Sequence, residues 1–265
     1  MAVASLLLII FFAAVAVFAP VIAPFAPDAQ NIGYDGIPQP PSLRHLFGTD
    51  NYGRDLFSRA VFGTRISLLV GICSVAIYML IGIVLGAVSG YCGGILDTVI
   101  MRLSDIMLSI PVFFFILALQ VVFTPSVWNV VLVIGLTGWA APTRLMRAQA
   151  MSLRESLYVE AAKSFGARSG YIIFRHIIPN ALSPMIVMGT LGIASAILME
   201  SALSFLGLGI QEPDASWGNM LMRAQEYMTS APWTAFFPGL LIMLIVIAFN
   251  FLGDGLRDAL DPKTS

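Results

Sequence analysis

The residues able to do chemistry in this 265-residue chain are few, and their spacing excludes most reactions. Its two histidines, His45 and His176, stand alone, with no second ligand at metal-binding spacing. Cys73 and Cys92 fall within one apolar stretch; as a single helix it holds them about 28 Å apart, too far for a disulfide. Asp50 and Asp55 flank Gly53, but the alternating acids of a calcium loop are missing. Neither histidine lies in a long apolar run, as an intramembrane serine protease would need, and no His-Glu-x-x-His occurs. A G-x-x-x-x-G-K-S/T phosphate loop is also missing, so no nucleotide should bind here. The expectation is a chain with no catalytic residue, no metal and no cofactor of its own.

Two features invite a functional reading. Glu200 interrupts an apolar run; on a helix starting near Pro184 it sits about 24 Å along, close to the outer membrane interface. A charge at membrane depth suggests a pore or gate residue, while snorkelling or pairing with a loop arginine is the plainer alternative. The other feature is the polar segment 150–183. Ser152 and Glu155 have capping-box spacing, which predicts a helix over 153–165 ended by Gly166 in the left-handed conformation. Ser169 predicts the cap of a second helix, 170–178, stopped by Pro179. Tyr158, Ala161, Ala162 and Phe165 recur every three or four residues and form an apolar face. Either the chain's own helices or a partner with a groove must bury that face.

The composition names the solvent of the scaffold. Hydrophobic residues make up 58% of the chain and charged residues 11%, with a mean hydropathy of +0.88. Soluble domains carry roughly 25% charged residues, so lipid must cover this surface. A net charge of −1 and the lack of a polybasic run give no sign of a nucleic-acid partner.

Six membrane helices are predicted, an all-α fold. Residues 1–27 form the first, ended by Pro20, Pro24 and Pro27; a signal peptide would want a basic leader and a shorter apolar run. Residues 28–65 read as an external polar loop carrying Asp28, Asp35, Arg44, Asp50, Arg54, Asp55, Arg59 and Arg65. The second span, 66–96, places Gly82, Gly86 and Gly90 on one face, where another helix can approach closely. Pro125 divides the next apolar stretch into spans of 106–123 and 127–143, with Arg102 and Asp105 paired at its start. Spans at 185–209 and 235–253, separated by the loop 210–233 and followed by a polar tail, 254–265, complete the set. Residues 66–260 thus form a core of five helices that includes 150–183. One side of the membrane holds nine Arg and Lys residues and the other five, so 150–183 and both termini are expected in the cytoplasm. An ion-coupled carrier or a channel working alone is the alternative, although such carriers usually place several ionisable groups at mid-membrane.

The segment 150–183 resembles part of a known family. Glu160-Ala161-Ala162, Gly166 and Pro179 stand at the spacing of the EAA motif of permease subunits in ATP-binding-cassette importers. His176 takes the place of the motif's isoleucine, and Ile178 that of its leucine. Arg175-His176-Ile177-Ile178-Pro179-Asn180 is similar to the dipeptide/oligopeptide/nickel branch. So are Phe47-Gly48-Thr49-Asp50 with Gly53-Arg54-Asp55, and Leu203-Ser204-Phe205-Leu206-Gly207-Leu208-Gly209 followed by Ser216-Trp217-Gly218-Asn219. Among the paired permeases of that branch the chain looks like the C type. The resemblance implies a type I, MetI-like importer fold with a coupling-helix hairpin, in the cytoplasmic (inner) membrane of a prokaryote. It also implies half of a pore for peptides or related small solutes. A homologous permease subunit would form a heterodimer with this chain, two cytoplasmic ATPase subunits would use the ATP, and an external solute-binding protein would deliver cargo. Tyr158, Glu160, Ala161, Ala162, Phe165, Gly166 and Pro179 would then couple to the ATPase.

Overall fold

The structure, a computed structural model, describes residues 1–30 and 36–260; Asp35 and Lys263, counted above among the loop and tail charges, lie outside them. The uncharged α1 (Ala2–Val17) leads into a single turn, α2 (Ala19–Ile22), with Pro20 in its first positions, where a proline's missing N–H leaves no bond unmade. Helix α3 (Leu56–Cys92) is capped by Asp55, whose carboxylate accepts the Ser58 N–H at 2.8 Å and the Ser58 hydroxyl at 2.7 Å. That cap starts the helix at Leu56 rather than at 66, so Arg59 and Arg65 belong to the helix and not to the loop. Its 37 residues extend about 55 Å, well beyond a hydrocarbon core of about 30 Å.

The middle of the chain is more broken than expected. Helices α4 (Gly94–Ser109) and α5 (Val112–Val122) meet at an 87° bend. Pro111 causes it by holding Ile110 in an extended conformation, so the expected span 106–123 is split. Asp105 pairs with Arg144 across to a later helix, not with Arg102 as expected. The break at Pro125 is present, and Ser126 caps α6 (Val127–Thr137) by accepting the Asn129 N–H at 3.1 Å. Helix α6 stops at Gly138, and α7 (Ala140–Arg154) takes over, so the expected span 127–143 divides between two helices.

Helix α7 runs through Ser152, so the predicted capping box at Ser152 and Glu155 does not form. Next come α8 (Leu157–Ser164) and α9 (Ser169–Ile172), then a π-helical turn, Ile173–Ile177, and α10 (Ile178–Asn180). Pro179 does not stop this path, because it stands in the first turn of α10, where no N–H is needed. The preceding π turn absorbs the change of register. Helix α11 (Leu182–Phe205) follows, then α12 (Trp217–Ala224) and α13 (Trp233–Leu260), which extends through most of the expected polar tail. Among the described residues, α3, α11 and α13 are long and apolar enough to cross a membrane. The bent α4–α5 pair makes a fourth if counted as one span, and α1 and α6 are apolar but shorter. Among the described residues there are thus three spans, or four with the bent pair, where the sequence reading expects six.

Helix α3 is the mast of the fold, packed by α7, α11, α6 and α1, with α13 against α1 and α11. The Gly82–Gly86–Gly90 stripe receives α7. A Cβ on Gly86 would lie 2.5 Å from the Thr143 carbonyl oxygen and 2.6 Å from the Met146 Cβ. One on Gly90 would lie 2.5 Å from the Arg147 carbonyl oxygen and 2.7 Å from the Ala150 Cβ. Met146 and Ala150 are fully buried in this seam, as the spacing of the glycines predicts.

Candidate functional site

The hairpin stands at the Cys92 end of α3. Arg154 at the foot of α7 donates to the Tyr91 carbonyl at 3.1 Å, and the Lys163 ammonium lies 5.5 Å from the centre of the Tyr91 ring. Arg147 makes a two-pronged pair with Asp97, at 2.5 and 2.6 Å, that fixes α7 against α4. Helix α8 ends as predicted at Gly166, whose φ of +77° lets the chain close a Schellman motif. There the Gly166 N–H donates to the Lys163 carbonyl at 2.9 Å and the Ala167 N–H to the Ala162 carbonyl at 3.0 Å.

Val159, which the sequence did not single out, is the anchor of α8 and is fully buried. The face expected to be apolar points the other way. Phe165 is 92% exposed and Tyr158 41% exposed, Glu160 and Ala161 are exposed, and Ala162 is half-buried. Of the two burial partners considered from sequence, the chain's own helices do not cover this face. His176 packs edge-on against Tyr171, at 5.5 Å between ring centres, and tilted against Tyr158 at 6.1 Å, which ties α8 to the π turn. That aromatic contact gives the histidine a use at the position where the motif has isoleucine.

The opposite end of α3 carries an ionic cap. Asp50 accepts the backbone N–H groups of Tyr52 and Arg54 at 2.9 Å each and the Arg54 Nε at 2.6 Å. Arg54 then donates to Glu212 at 2.7 Å, across 158 residues of sequence. The same Glu212 oxygen lies 3.7 Å from Arg59 and 3.5 Å from Arg223, so one carboxylate serves three arginines. Burial works to raise the Glu212 carboxyl, but the Arg54 hydrogen bond and the three nearby cations outweigh it and hold the group below its usual value. Its contribution to stability is therefore full at neutral pH and is lost only in acid, below the ordinary glutamate pKa of roughly 4.3. Glu212→Ala leaves Arg59, 2% exposed, without its anion. We expect a loss of about 2–3 kcal/mol, below the usual 3–5 for a broken buried pair because Glu212 is partly exposed. Thermal unfolding in detergent at pH 7 checks this, and the difference from the native chain is expected to shrink below pH 4.

The two outer motifs meet in this cap. Ser216 and Asn219 form a capping box for α12, Trp217 donates to the Ala60 carbonyl of α3 at 3.1 Å, and Gly218 fits against the Ser201 backbone. Glu200 sits just beneath and is fully buried. It accepts from Ser204 at 2.8 Å and Ser67 at 3.3 Å, with Ser201 at 3.5 Å. Its partners are serines of its own chain rather than a loop arginine, and it lines neither of the larger apolar cavities. Its serine contacts tie α11 to α3, and the plainer alternative of a loop-arginine partner is not the arrangement found.

Comparison with known proteins gives a consistent picture. The family described as "binding-protein-dependent transport system inner membrane component" matches residues 82–265. The "N-terminal TM domain of oligopeptide transport permease C" matches residues 1–41. The chain is 44% identical to a dipeptide transport system permease protein, DppC, of Alkalihalophilus pseudofirmus, over 99% of this chain and 86% of that one. It is 38% identical to the oligopeptide transport system permease protein OppC of Bacillus subtilis, with the same coverage. A glutathione transport system permease protein, GsiD, of Pectobacterium atrosepticum is 43% identical, over 99% of this chain and 87% of that one. Among solved structures, an inward-facing MetNI methionine ABC transporter matches with a TM-score of 0.60 at 15% identity, covering 77% of this chain and 96% of that one, a likeness of fold.

Proposed function

This chain belongs to the family of binding-protein-dependent transport system inner membrane components, and from that premise we propose that it is a permease subunit of an ATP-driven importer of peptides or related small solutes. It forms half of the translocation pore, and a homologous permease subunit forms the other half. Two cytoplasmic ATPase subunits hold and hydrolyse the ATP, and an external solute-binding protein brings the cargo. The membrane is crossed six times, with α1, α6 and the broken α4–α5 pair completing the set, and both termini face the cytoplasm.

The observation that carries this reading is the hairpin. Helix α8, closed at its C-terminus by the Gly166 turn, with Val159 buried and Phe165 almost bare, offers an apolar knob at one end of the molecule. A soluble partner must cover it. Helical backbone then continues with little interruption from Ser169 into α11, so a push on the knob reaches the membrane helices directly. Gly166 keeps α8 folded back on this lever, and Pro179 shapes its turn into α11. The ionic cap lies at the far end of α3, as a part on the opposite side of the membrane would. Among the described residues, the acid buried in a long span is Glu200, already held by serines, so the chain supplies little for ion coupling. Uptake of a peptide pool by cells expressing the complete transporter tests the reading. It is expected to stop when ATP is depleted and to persist when a protonophore collapses the ion gradient with ATP maintained. The opposite pattern would favour an ion-coupled carrier.

A further inference from the structure

Between α3, α5, α6, α7 and α11 lies a cavity of about 350 Å³, a size that holds a small solute. Both breaks in the helical walls open on it. Val112 and Ile116 follow the Pro111 bend, and Thr137 and Gly138 mark the passage from α6 to α7. A helix break leaves backbone groups without intrahelical partners. Lipid cannot satisfy such groups, so broken backbone in a membrane protein is either packed in protein or lines watery space, often beside a cargo site.

The cavity wall carries no charged side chain. Two of its hydroxyls are already committed to their own helices: Thr137 donates to the Val133 carbonyl at 2.7 Å and Ser195 to the Leu191 carbonyl at 3.4 Å. Tyr78 differs. It stands deep in α3, about 33 Å from the Leu56 end, with its side chain wedged between two glycines. A Cβ on Gly138 would come within 2.7 Å of its ring, and one on Gly192 would overlap its hydroxyl. Among the described residues that hydroxyl has no hydrogen-bond partner.

Resting on the transporter reading above, we propose that this cavity is the chain's share of the cargo path and that Tyr78 contacts the cargo. Its hydroxyl bonds the backbone amides of a small peptide, and the uncharged wall leaves the cargo's side-chain charges unread. The hairpin joins α7 to α11, two of the cavity's walls, so motion of the hairpin changes the width of the path.

The test uses the complete transporter in vesicles, with ATPase subunits, permease partner and binding protein, and with Cys73 and Cys92 changed to serine. The cargo is a pool of short peptides of mixed charge, followed by mass spectrometry. Ser195→Cys is expected to react with a charged, membrane-impermeant methanethiosulfonate during turnover, and saturating peptide to slow that reaction several-fold. Tyr78→Phe is expected to lower uptake about 5- to 10-fold, the worth of one neutral hydrogen bond. The loss falls equally on acidic, basic and neutral peptides, with ATPase binding unchanged. An unreactive Ser195→Cys, native uptake by Tyr78→Phe, or a loss confined to one charge class overturns the proposal. The transporter reading survives any of these if the native complex still imports peptide with ATP. Absence of ATP-driven import by the native complex removes both.

Discussion

Changing Gly86 to leucine is expected to remove nearly all folded protein from the membrane fraction. A single Cβ at that position already falls 2.5 Å from the Thr143 carbonyl oxygen and 2.6 Å from the Met146 Cβ. Leucine adds three more carbons to a seam in which Met146 is fully buried. Overpacking that a core can absorb costs about 1–3 kcal/mol. Here the opposing atoms include backbone, so α7 must move away from α3. The Asp97–Arg147 pair and the Arg154–Tyr91 bond are then strained with it. A cost of 3 kcal/mol or more is a large part of a total stability of about 5–15 kcal/mol. Gly86→Ala is expected to show a milder form of the same defect. Gly170→Ala is expected to be silent, because a Cβ there meets nothing within 4 Å. Yield and size-exclusion profile after detergent extraction give the ordering directly.

The second large effect is on coupling and not on folding. Phe165→Asp changes a side chain that is 92% exposed, so the thermal stability of the isolated chain is expected to stay within about 0.5 kcal/mol. A partner groove that buries this ring gains about 1.5–3 kcal/mol, and a carboxylate placed there loses that gain and adds a desolvation cost. ATPase binding is expected to weaken by roughly 10- to 100-fold, with uptake falling at least as far. Gly166→Val acts by a different route. Its φ of +77° costs a branched residue about 1–3 kcal/mol, so the end of α8 is reshaped while Phe165 itself is kept.

The residues that were legible from sequence are those whose task is local. The glycine stripe in α3, the left-handed turn at Gly166 and the break at Pro125 each depend on a short stretch of chain, and each is where its spacing put it. Tertiary packing overrode other local signals. Ser152 and Glu155 have the letters of a capping box, but α7 runs through Ser152 to Arg154 because its glycine-lined seat on α3 holds it helical, and Glu155 follows its end. Pro179 reads as a stop, yet a π turn ahead of it lets the helical path continue. Glu200 shows the limit of counting charges along a span. Only the fold reveals that Ser67, from a distant helix, joins the serines around it and ties α11 to α3. The contacts of Glu212 with three arginines were invisible for the same reason, since Arg54 and Glu212 are 158 residues apart.

Docking of a cytoplasmic ATPase subunit on the exposed face of α8, as proposed above, is tested by co-purification. The native chain and Phe165→Asp would be extracted from membranes under the same mild detergent, each with its permease partner. The ATPase retained per permease would then be quantified. Near-complete retention is expected with the native chain and loss with Phe165→Asp, while the permease pair itself stays intact. Equal retention of ATPase by both, or none with the native chain, would contradict that docking.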